Sequence, residues 1–173
     1  MFSPIESGAE RQARLQAEEL ARRGHQVQVF TRALENLPRT QLHYSSESGG
    51  RVVIRRVIQT SSRGPLFGIS FVHQLAKVLR RERNKIDLIH SHQALWESIT
   101  LGFARKFINR PTIIQPASSG YDGEAQEMMR TRGSGILRRM SIRSPIFACI
   151  SDDIATEWRK MGVAENRLIK VCS

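Results

Sequence analysis

Residues 8–31 read GAERQARLQAEELARRGHQVQVFT, and their pattern predicts a helix that is followed directly by a strand. Small and apolar residues recur at helical spacing in the first part of this stretch: Ala13, Ala17, Leu20 and Ala21. Polar and charged residues fill the positions between them, as on a helix with one buried face. Gly24 is suited to end the helix, because glycine readily adopts the left-handed conformation found there. Residues 25–31 then alternate, with Val27 and Val29 on one side, which predicts a strand.

The same alternation of helix and strand continues along the chain. Short apolar or β-branched segments predict further strands at 51–58 and 86–92, within 110–120, and at 145–151 and 167–173. Residues 33–50 are polar and rich in turn residues, which predicts a connection. The pattern indicates an α/β fold with a doubly wound, Rossmann-like parallel sheet of about six strands. Such sheets bind ligands at the carboxyl ends of their strands, so the polar residues after each strand are the candidates for a site.

The composition indicates a single globular domain, and its charge indicates an anionic partner. The chain has 173 residues and a net charge of +11, from 27 basic and 16 acidic side chains. This charge favours nucleic acid, a phosphorylated ligand or an anionic membrane surface, without choosing among them. No apolar run approaches the roughly 20 residues that span a bilayer, and the start lacks a leader pattern, so we expect a cytoplasmic protein. The two cysteines are far apart and suggest neither a disulfide framework nor a zinc site.

Several signatures of nucleotide and nucleic-acid binding are missing from the sequence. No Gly-x-Gly-x-x-Gly follows a predicted strand, and no Gly-x4-Gly-Lys-Ser/Thr loop occurs. Helix-turn-helix, zinc-finger and RNP patterns are also lacking. These absences weigh against a nicotinamide-dependent oxidoreductase and a nucleic-acid-binding module. A nucleotide- or nucleic-acid-binding α/β module without transferase activity nevertheless stays open as the alternative on charge alone.

Three segments in order resemble the amino-terminal domain of the family 4 glycosyltransferases. Residues 8–31 resemble the first helix and second strand of that domain, with its Gly-Ala-Glu-Arg opening. The segment DLIHSH at 87–92 resembles its fourth strand. The segment ACISDDIATEWRKMGVAENRLIKV at 148–171 is similar to the strand, serine cap, helix and final strand before the crossover between domains. The resemblance covers essentially the whole chain.

The resemblance implies a retaining enzyme of the two-domain GT-B fold, which transfers a hexosyl group from a nucleotide sugar to a glycan or lipid-linked acceptor. Residues 1–173 would form the amino-terminal, acceptor-side domain, truncated at both ends. The first, central strand would be missing before the loop at Gly8, and the carboxyl-terminal domain that binds the nucleotide-sugar donor would be absent. We therefore expect the chain alone to be inactive. No metal or other cofactor and no nucleic-acid partner are expected.

The start of the first helix is the predicted donor contact. Gly8 allows close approach of the backbone, and the N–H groups around Ala9 and Glu10 would attract an anion. By the resemblance, that anion is the pyrophosphate of the donor. From the motif alone, a glycine that merely starts a helix is the favoured interpretation, and only the resemblance reverses this preference. The sequence also departs from the family, because residues 115–124 read QPASSGYDGE where many relatives have Thr-x-His. The role of that histidine is not transferred to this loop.

The acceptor is expected to contact polar residues that follow the fourth and fifth strands of the family's domain: His92, Gln93, Ser119, Tyr121 and Glu124. Two roles are open for Glu124, which could bind a hydroxyl or act as a base, or could cap the next helix. For His92 a structural hydrogen bond is the alternative. We expect His90 and His92 to face opposite ways, which would argue against a shared metal ion.

Basic residues concentrate at 80–85, 130–132 and 137–143. Residues 135–143 would form a short, imperfect amphipathic helix with Arg138 and Arg139 outside its apolar stripe. Arginines near anionic lipid favour attachment to a membrane. We therefore expect peripheral binding to an anionic surface at the inner membrane face through Arg138 and Arg139, with a solvated helix face as the alternative.

Overall fold

A computed structural model describes residues 8–33, 36–60, 65–131, 133–143 and 146–171. The chain divides into two compact units, unit 1 (Met1–Ser70) and unit 2 (Phe71–Ser173). The chain passes from the first to the second within helix α2 (Pro65–Glu82). Each unit has its own β-sheet.

The described part of unit 1 contains a helix followed by three strands. These are α1 (Gly8–Arg22), β1 (Gln26–Arg32), β2 (Thr40–Ser45) and β3 (Arg51–Ile58). The strand order is β1-β3-β2, with β1 parallel and β2 antiparallel to β3. The predicted helix and the two predicted strands of this region are thus confirmed.

The core of unit 1 lies between α1 and one face of β3. Val52 and Ile54 alternate with less buried residues along β3, and they pack against Ala17 and Ala21 of α1. The small alanines allow the helix to lie close to the sheet. A Cβ at Gly50 would collide with the carbonyl group of Ala21, so the backbone of α1 meets the backbone just before β3. The carboxyl end of α1 is therefore fixed at the amino end of β3.

Strand β2 corrects the prediction that residues 33–50 are only a connection. Most of its side chains are exposed, including Leu42, because among the described strands it lies at the edge of the sheet beside β3. Burial along β2 does not alternate from residue to residue, so the strand gives no regular pattern in the sequence. The polar composition of the segment therefore concealed the strand.

Unit 2 contains a parallel sheet flanked by helices. Its strands are β4 (Ile89–Ser91), β5 (Thr112–Ile114), β6 (Ile146–Cys149) and β7 (Leu168–Lys170), hydrogen-bonded in that order. Its further helices are α3 (Trp96–Ile108), α4 (Glu124–Arg130), α5 (Ser134–Ser141) and α6 (Asp152–Lys160), with 3-10 turns at Arg83–Lys85 and Glu165–Arg167. The α/β, Rossmann-like class is confirmed. The described strands form two sheets, of three and four strands.

Helix α6 follows the cap pattern that its sequence predicts. The Ser151 hydroxyl accepts a hydrogen bond from the Ile154 N–H at 3.2 Å, and Asp152 and Asp153 occupy the first turn. Acids there complement the positive end of the helix. Gly162 follows the helix with a φ of +97°, a conformation that suits glycine. Trp158, also on α6, is fully buried against Phe147, as expected for a packing residue.

Helices α3 and α5 approach each other through small residues. The hydroxyl groups of Ser98 and Ser141 lie 2.6 Å apart and are buried. A Cβ at Gly102 would collide with the carbonyl oxygen of Met140. The backbones of the two helices are therefore in contact at this crossing, and there is no space for a side chain at position 102.

Strands β1 and β4 stand at the edges of their sheets. Within the residues that the structure describes, β1 pairs only with β3 and β4 pairs only with β5. The expectation of a missing central strand stays a prediction.

Candidate functional site

The start of α1 and the carboxyl ends of β1 and β3 form the candidate site of unit 1. Because the end of α1 is fixed near Gly50, the helix runs back along the strands, and its first turn lies toward their carboxyl ends. Gly8, Ala9 and Glu10 are the first three residues of this helix. Carboxyl ends of parallel strands are the usual place for ligands in α/β sheets.

Gly8 is exposed and has open space around it. A Cβ built on Gly8 would meet no atom of the described residues within 4 Å. Packing against the described part of the chain therefore does not require a glycine at this position. The first N–H groups of a helix have no acceptor inside it, and the helix end carries a partial positive charge. Contact of Gly8, Ala9 and Glu10 with a donor phosphate stays a prediction that this geometry permits.

The candidate site of unit 2 begins with two imidazoles at the carboxyl end of β4. The ring centroids of His90 and His92 lie 4.3 Å apart. The expectation that they face opposite ways was wrong, because side chains two residues apart along an extended segment share a face. His90 Nε2 lies 3.1 Å from Oε1 of Gln115, a buried residue that follows β5. This hydrogen bond joins the ends of β4 and β5.

Burial keeps both imidazoles neutral. It lowers the pKa of His92 to about 4, and the charge of a protonated His90 would lower it further. Burial also lowers the pKa of His90, against the opposing effect of its hydrogen bond with Gln115. Near pH 7 each ring therefore carries one donor and one acceptor nitrogen, which suits a hydroxyl ligand. In the part of the chain that the structure describes, no three potential metal ligands come together.

The Glu124 carboxylate accepts hydrogen bonds from two loops at the carboxyl ends of β4 and β5. Its Oε1 accepts the Ala94 N–H at 2.8 Å, and its Oε2 accepts the Ala117 N–H at 2.8 Å. Burial raises the pKa of Glu124, and these backbone hydrogen bonds oppose the rise. Both oxygens thus hold the loops after β4 and β5, which makes Glu124 a positioning residue. Its direct contact with an acceptor stays a prediction.

The loop at 117–123 is held by a second glutamate. Gly120, at a φ of +80°, donates its N–H to Glu157 Oε1 of α6 at 2.7 Å. A Cβ at Gly123 would come within 3 Å of the Ser119 backbone, so the loop closes on itself there. Ser119 directly precedes Gly120 and is exposed. Its hydroxyl group is therefore accessible beside a backbone N–H that Glu157 holds in place.

Gln93 and Tyr121 are exposed but differ in their surroundings. The Ser91 hydroxyl donates to the Gln93 carbonyl at 2.7 Å, which fixes the backbone and leaves the exposed amide side chain accessible. Tyr121 is 79% exposed, and the Arg130 guanidinium lies 3.8 Å from the centre of its ring. This cation–π contact orients the tyrosine at the surface.

Glu97 is a residue that the sequence analysis missed. It lies in the first turn of α3, and burial raises its pKa to about 7, with a further contribution from the charge of Glu124. A carboxyl group that titrates near neutral pH marks a candidate functional position. In the sequence, Glu97 is indistinguishable from an ordinary first-turn acid, because only the fold brings Glu124 near it.

Arg138 and Arg139 are exposed on α5, and their contact with a membrane stays a prediction. They line an open depression of about 490 Å³ together with residues at the start of the helix: Gly133, Ser134, Gly135 and Ile136. Ile136 is 68% exposed and thus lies apart from the half-buried Leu137 and Met140. No helix within the described ranges is long and apolar enough to cross a membrane.

Comparison with known proteins assigns the family. No curated protein is a significant match to the chain. The family model described as Glycosyltransferase Family 4 matches residues 7–171. This match lends no support to the alternative of a nucleic-acid-binding module. The chain therefore belongs to Glycosyltransferase Family 4 and is a glycosyltransferase-type domain.

Proposed function

We propose that residues 1–173 are the acceptor-side half of a retaining hexosyltransferase of the GT-B fold. A second domain, outside these residues, would bind the nucleotide-sugar donor, and the acceptor would be a glycan or a lipid-linked sugar. The observation that carries the proposal is the family match over residues 7–171. Because transfer requires the donor to be positioned against the acceptor, the chain alone would be inactive.

The start of α1 supplies the proposed contact with the donor. The leaving diphosphate gains negative charge as the glycosidic bond breaks. Fixed N–H groups at Gly8, Ala9 and Glu10 would stabilise that charge in the transition state. The proposal assigns no metal to this step.

The acceptor would bind at the carboxyl ends of β4 and β5. The neutral imidazole of His92 can donate to or accept from a sugar hydroxyl, and Gln93 and Ser119 offer exposed polar groups nearby along the same two loops. Glu124 would hold both loops in place through its two backbone hydrogen bonds. Tyr121 would offer an aromatic surface to a sugar ring.

Gly8→Val tests the proposed contact with the donor. In the enzyme that holds this domain together with its donor-binding domain, we expect turnover to fall about 100-fold, the usual effect of losing a preorganised donor in the transition state. The melting temperature should change little, because the space around Gly8 is open. Gly8→Ala, with a smaller side chain, is the matched control and should lose less activity. Unaltered turnover of Gly8→Val would remove Gly8 from the site.

We further propose peripheral attachment to anionic membranes through α5. Three observations support it: Arg138 and Arg139 are exposed, Ile136 is 68% exposed beside them, and the chain carries a net charge of +11. An apolar side chain among arginines suits the boundary between lipid headgroups and acyl chains. Such attachment would bring the domain to a lipid-linked acceptor.

Substitution of both arginines by glutamate tests this attachment. Wild-type protein should sediment with anionic vesicles and not with neutral ones, and less so as salt rises. Arg138→Glu with Arg139→Glu should abolish sedimentation, because each basic residue near anionic lipid contributes about 1 kcal/mol. Lys77→Glu with Lys106→Glu makes the same charge change at exposed positions elsewhere and should retain most binding. Equal sedimentation with neutral vesicles would contradict the proposal.

A further inference from the structure

A polar groove, the α6 groove, lies between helix α6 and the loop that follows β5. It has a volume of about 230 Å³, and it is lined by two residues of the loop and four of the helix: Ser119, Gly120, Asp153, Thr156, Glu157 and Lys160. The four helix residues are three or four positions apart, which places them on one face of α6. Each side chain in the lining ends in a hydroxyl, a carboxylate or an ammonium group. The α6 groove therefore offers hydrogen-bonding groups and no apolar side chain.

The loop wall of the α6 groove is joined to its helix wall. The Gly120 N–H donates to Glu157 Oε1 at 2.7 Å. Glu157 Oε2 is buried and has no hydrogen-bond partner in the described part of the chain. A buried polar atom without a partner is costly, and a ligand hydroxyl beside it would supply the missing donor. The groove thus forms without a ligand and retains an unused acceptor.

The charged side chains of the α6 groove take no part in ion pairs. Within the described residues, the ion pairs of α6 are made by Asp152 and Arg159, which do not line the groove. Asp153 and Lys160 are exposed and form no ion pair with any described residue. Their carboxylate and ammonium groups are therefore available to a ligand.

The charges in the α6 groove distinguish among classes of ligand. Its side chains carry two carboxylates and one ammonium group, in contrast to the net charge of +11 of the chain. An anion would be repelled by Asp153 and Glu157, and a metal ion would meet the ammonium group of Lys160. A neutral ligand rich in hydroxyl groups can donate to the carboxylates and accept from Lys160, Ser119 or Thr156. A sugar ring has this chemistry.

The α6 groove lies along the same edge of the sheet as the proposed acceptor contacts. Strand β5 lies between β4, which His92 follows, and β6, which α6 follows. Strands β4 and β6 are two strand spacings apart, about 10 Å, so a ligand that extends from His92 to the groove is longer than one sugar ring. The volume of about 230 Å³ is below the range of about 300–1,000 Å³ for larger ligands and suits a single ring.

We propose that the α6 groove binds one neutral sugar ring, the second unit of a glycan acceptor whose first unit lies near His92. Asp153 and Lys160 would contact the hydroxyl groups of the ring through charge-assisted hydrogen bonds. The role as an acceptor subsite rests on the proposed function, whereas binding of a sugar does not depend on transfer. The acceptor would then be a chain of at least two sugars.

Sugar binding to the full chain tests the α6 groove without a transferase assay. Backbone amide signals are followed by NMR while the methyl α-glycosides of glucose, mannose and galactose are added, one at a time. We expect at least one glycoside to shift the signals of Gly120 and Thr156, and inorganic phosphate to leave them unchanged. Asp153→Ala and Lys160→Ala should each weaken this binding about tenfold, because each removes a hydrogen bond from a charged group.

Asp152→Ala is the matched control for Asp153→Ala. Asp152 is the adjacent residue on α6 and pairs with Lys170 at 2.7 Å, outside the groove. It makes the same charge change and should bind sugar as the wild type does. Asp153 and Lys160 are exposed, so their substitution should leave the fold intact. The absence of shifts at the groove with all three glycosides, or equal affinity in wild type and both groove variants, would overturn the proposal.

Acceptor kinetics distinguish this inference from the proposed function. In the enzyme that also has the donor-binding domain, Asp153→Ala should raise the KM for a disaccharide acceptor about tenfold and leave kcat unchanged, because binding at the groove is remote from the reaction. The KM for a monosaccharide acceptor should not change, and an equal rise for both acceptors would contradict a site for the second unit. Sugar binding at the groove without any transfer would support the site and contradict the proposed transfer. Shifts confined to His92 and Gln93 would support the acceptor contact there and overturn the groove.

Discussion

Gly102→Ala is expected to destabilise unit 2 by about 3 kcal/mol, the upper part of the range for overpacked cores. The added Cβ would collide with the Met140 carbonyl oxygen, where α3 and α5 meet. Backbone cannot move aside as a flexible side chain can, so the two helices must separate. Separation would also break the buried contact between the hydroxyl groups of Ser98 and Ser141. The usual gain in helix propensity from glycine to alanine, about 1 kcal/mol, is too small to compensate.

Gly135→Ala is the matched control for this substitution. Gly135 also lies within a helix, α5, but a Cβ there would meet no atom within 4 Å. We expect it to be neutral or to stabilise the protein by up to about 1 kcal/mol. Denaturant unfolding of both variants measures the difference. Equal stability of Gly102→Ala and wild type would show that α3 and α5 are not in backbone contact.

The elements that the sequence predicted well are those with one buried face. Helix α1 and strand β3 have regular apolar spacing because one side of each packs in the core, with Ala17 and Val52 as examples. Helix α6 was predicted because its cap at Ser151 is local, and its hydrogen bond spans three residues. Strand β2 was missed because its exposed residues give no period. Elements with a buried face or a local cap could therefore be predicted from the sequence, whereas the pairing of an exposed strand could not.

The sequence predicted where polar residues follow the strands, but not the contacts that they make. Their positions gave His92, Gln93 and Ser119 as candidate ligand contacts, and that role stays a prediction. The bonds of Glu124 join it to residues 30 and 7 positions away, and only the folded loops bring them together.

The pH dependence of stability should separate two buried groups that act in opposite directions. His92 has an ordinary pKa of 6.5 and a native pKa of about 4. Between these values the unfolded chain binds a proton that the folded chain does not. Stability from this group is therefore lost as the pH falls from 6.5 to 4, by up to about 3 kcal/mol.

Glu97 should produce the reverse dependence. Its ordinary pKa is 4.5 and its native pKa is about 7, so the folded chain holds a proton that the unfolded chain releases between these values. Stability from this group is lost as the pH rises from 4.5 to 7, again by up to about 3 kcal/mol. In the wild type the two effects oppose each other and conceal both.

Single substitutions reveal each effect, and each variant serves as the control for the other. The free energy of unfolding is measured by denaturant titration from pH 4 to pH 7.5 for wild type, His92→Gln and Glu97→Gln. Relative to wild type, His92→Gln should gain stability as the pH falls, because it lacks the imidazole that resists protonation. Glu97→Gln should gain relative stability as the pH rises, because it lacks the carboxyl group that resists ionisation. Differences that do not vary with pH would mean that both side chains are solvated, and the loops after β4 and β5 would then be open to water in the folded domain.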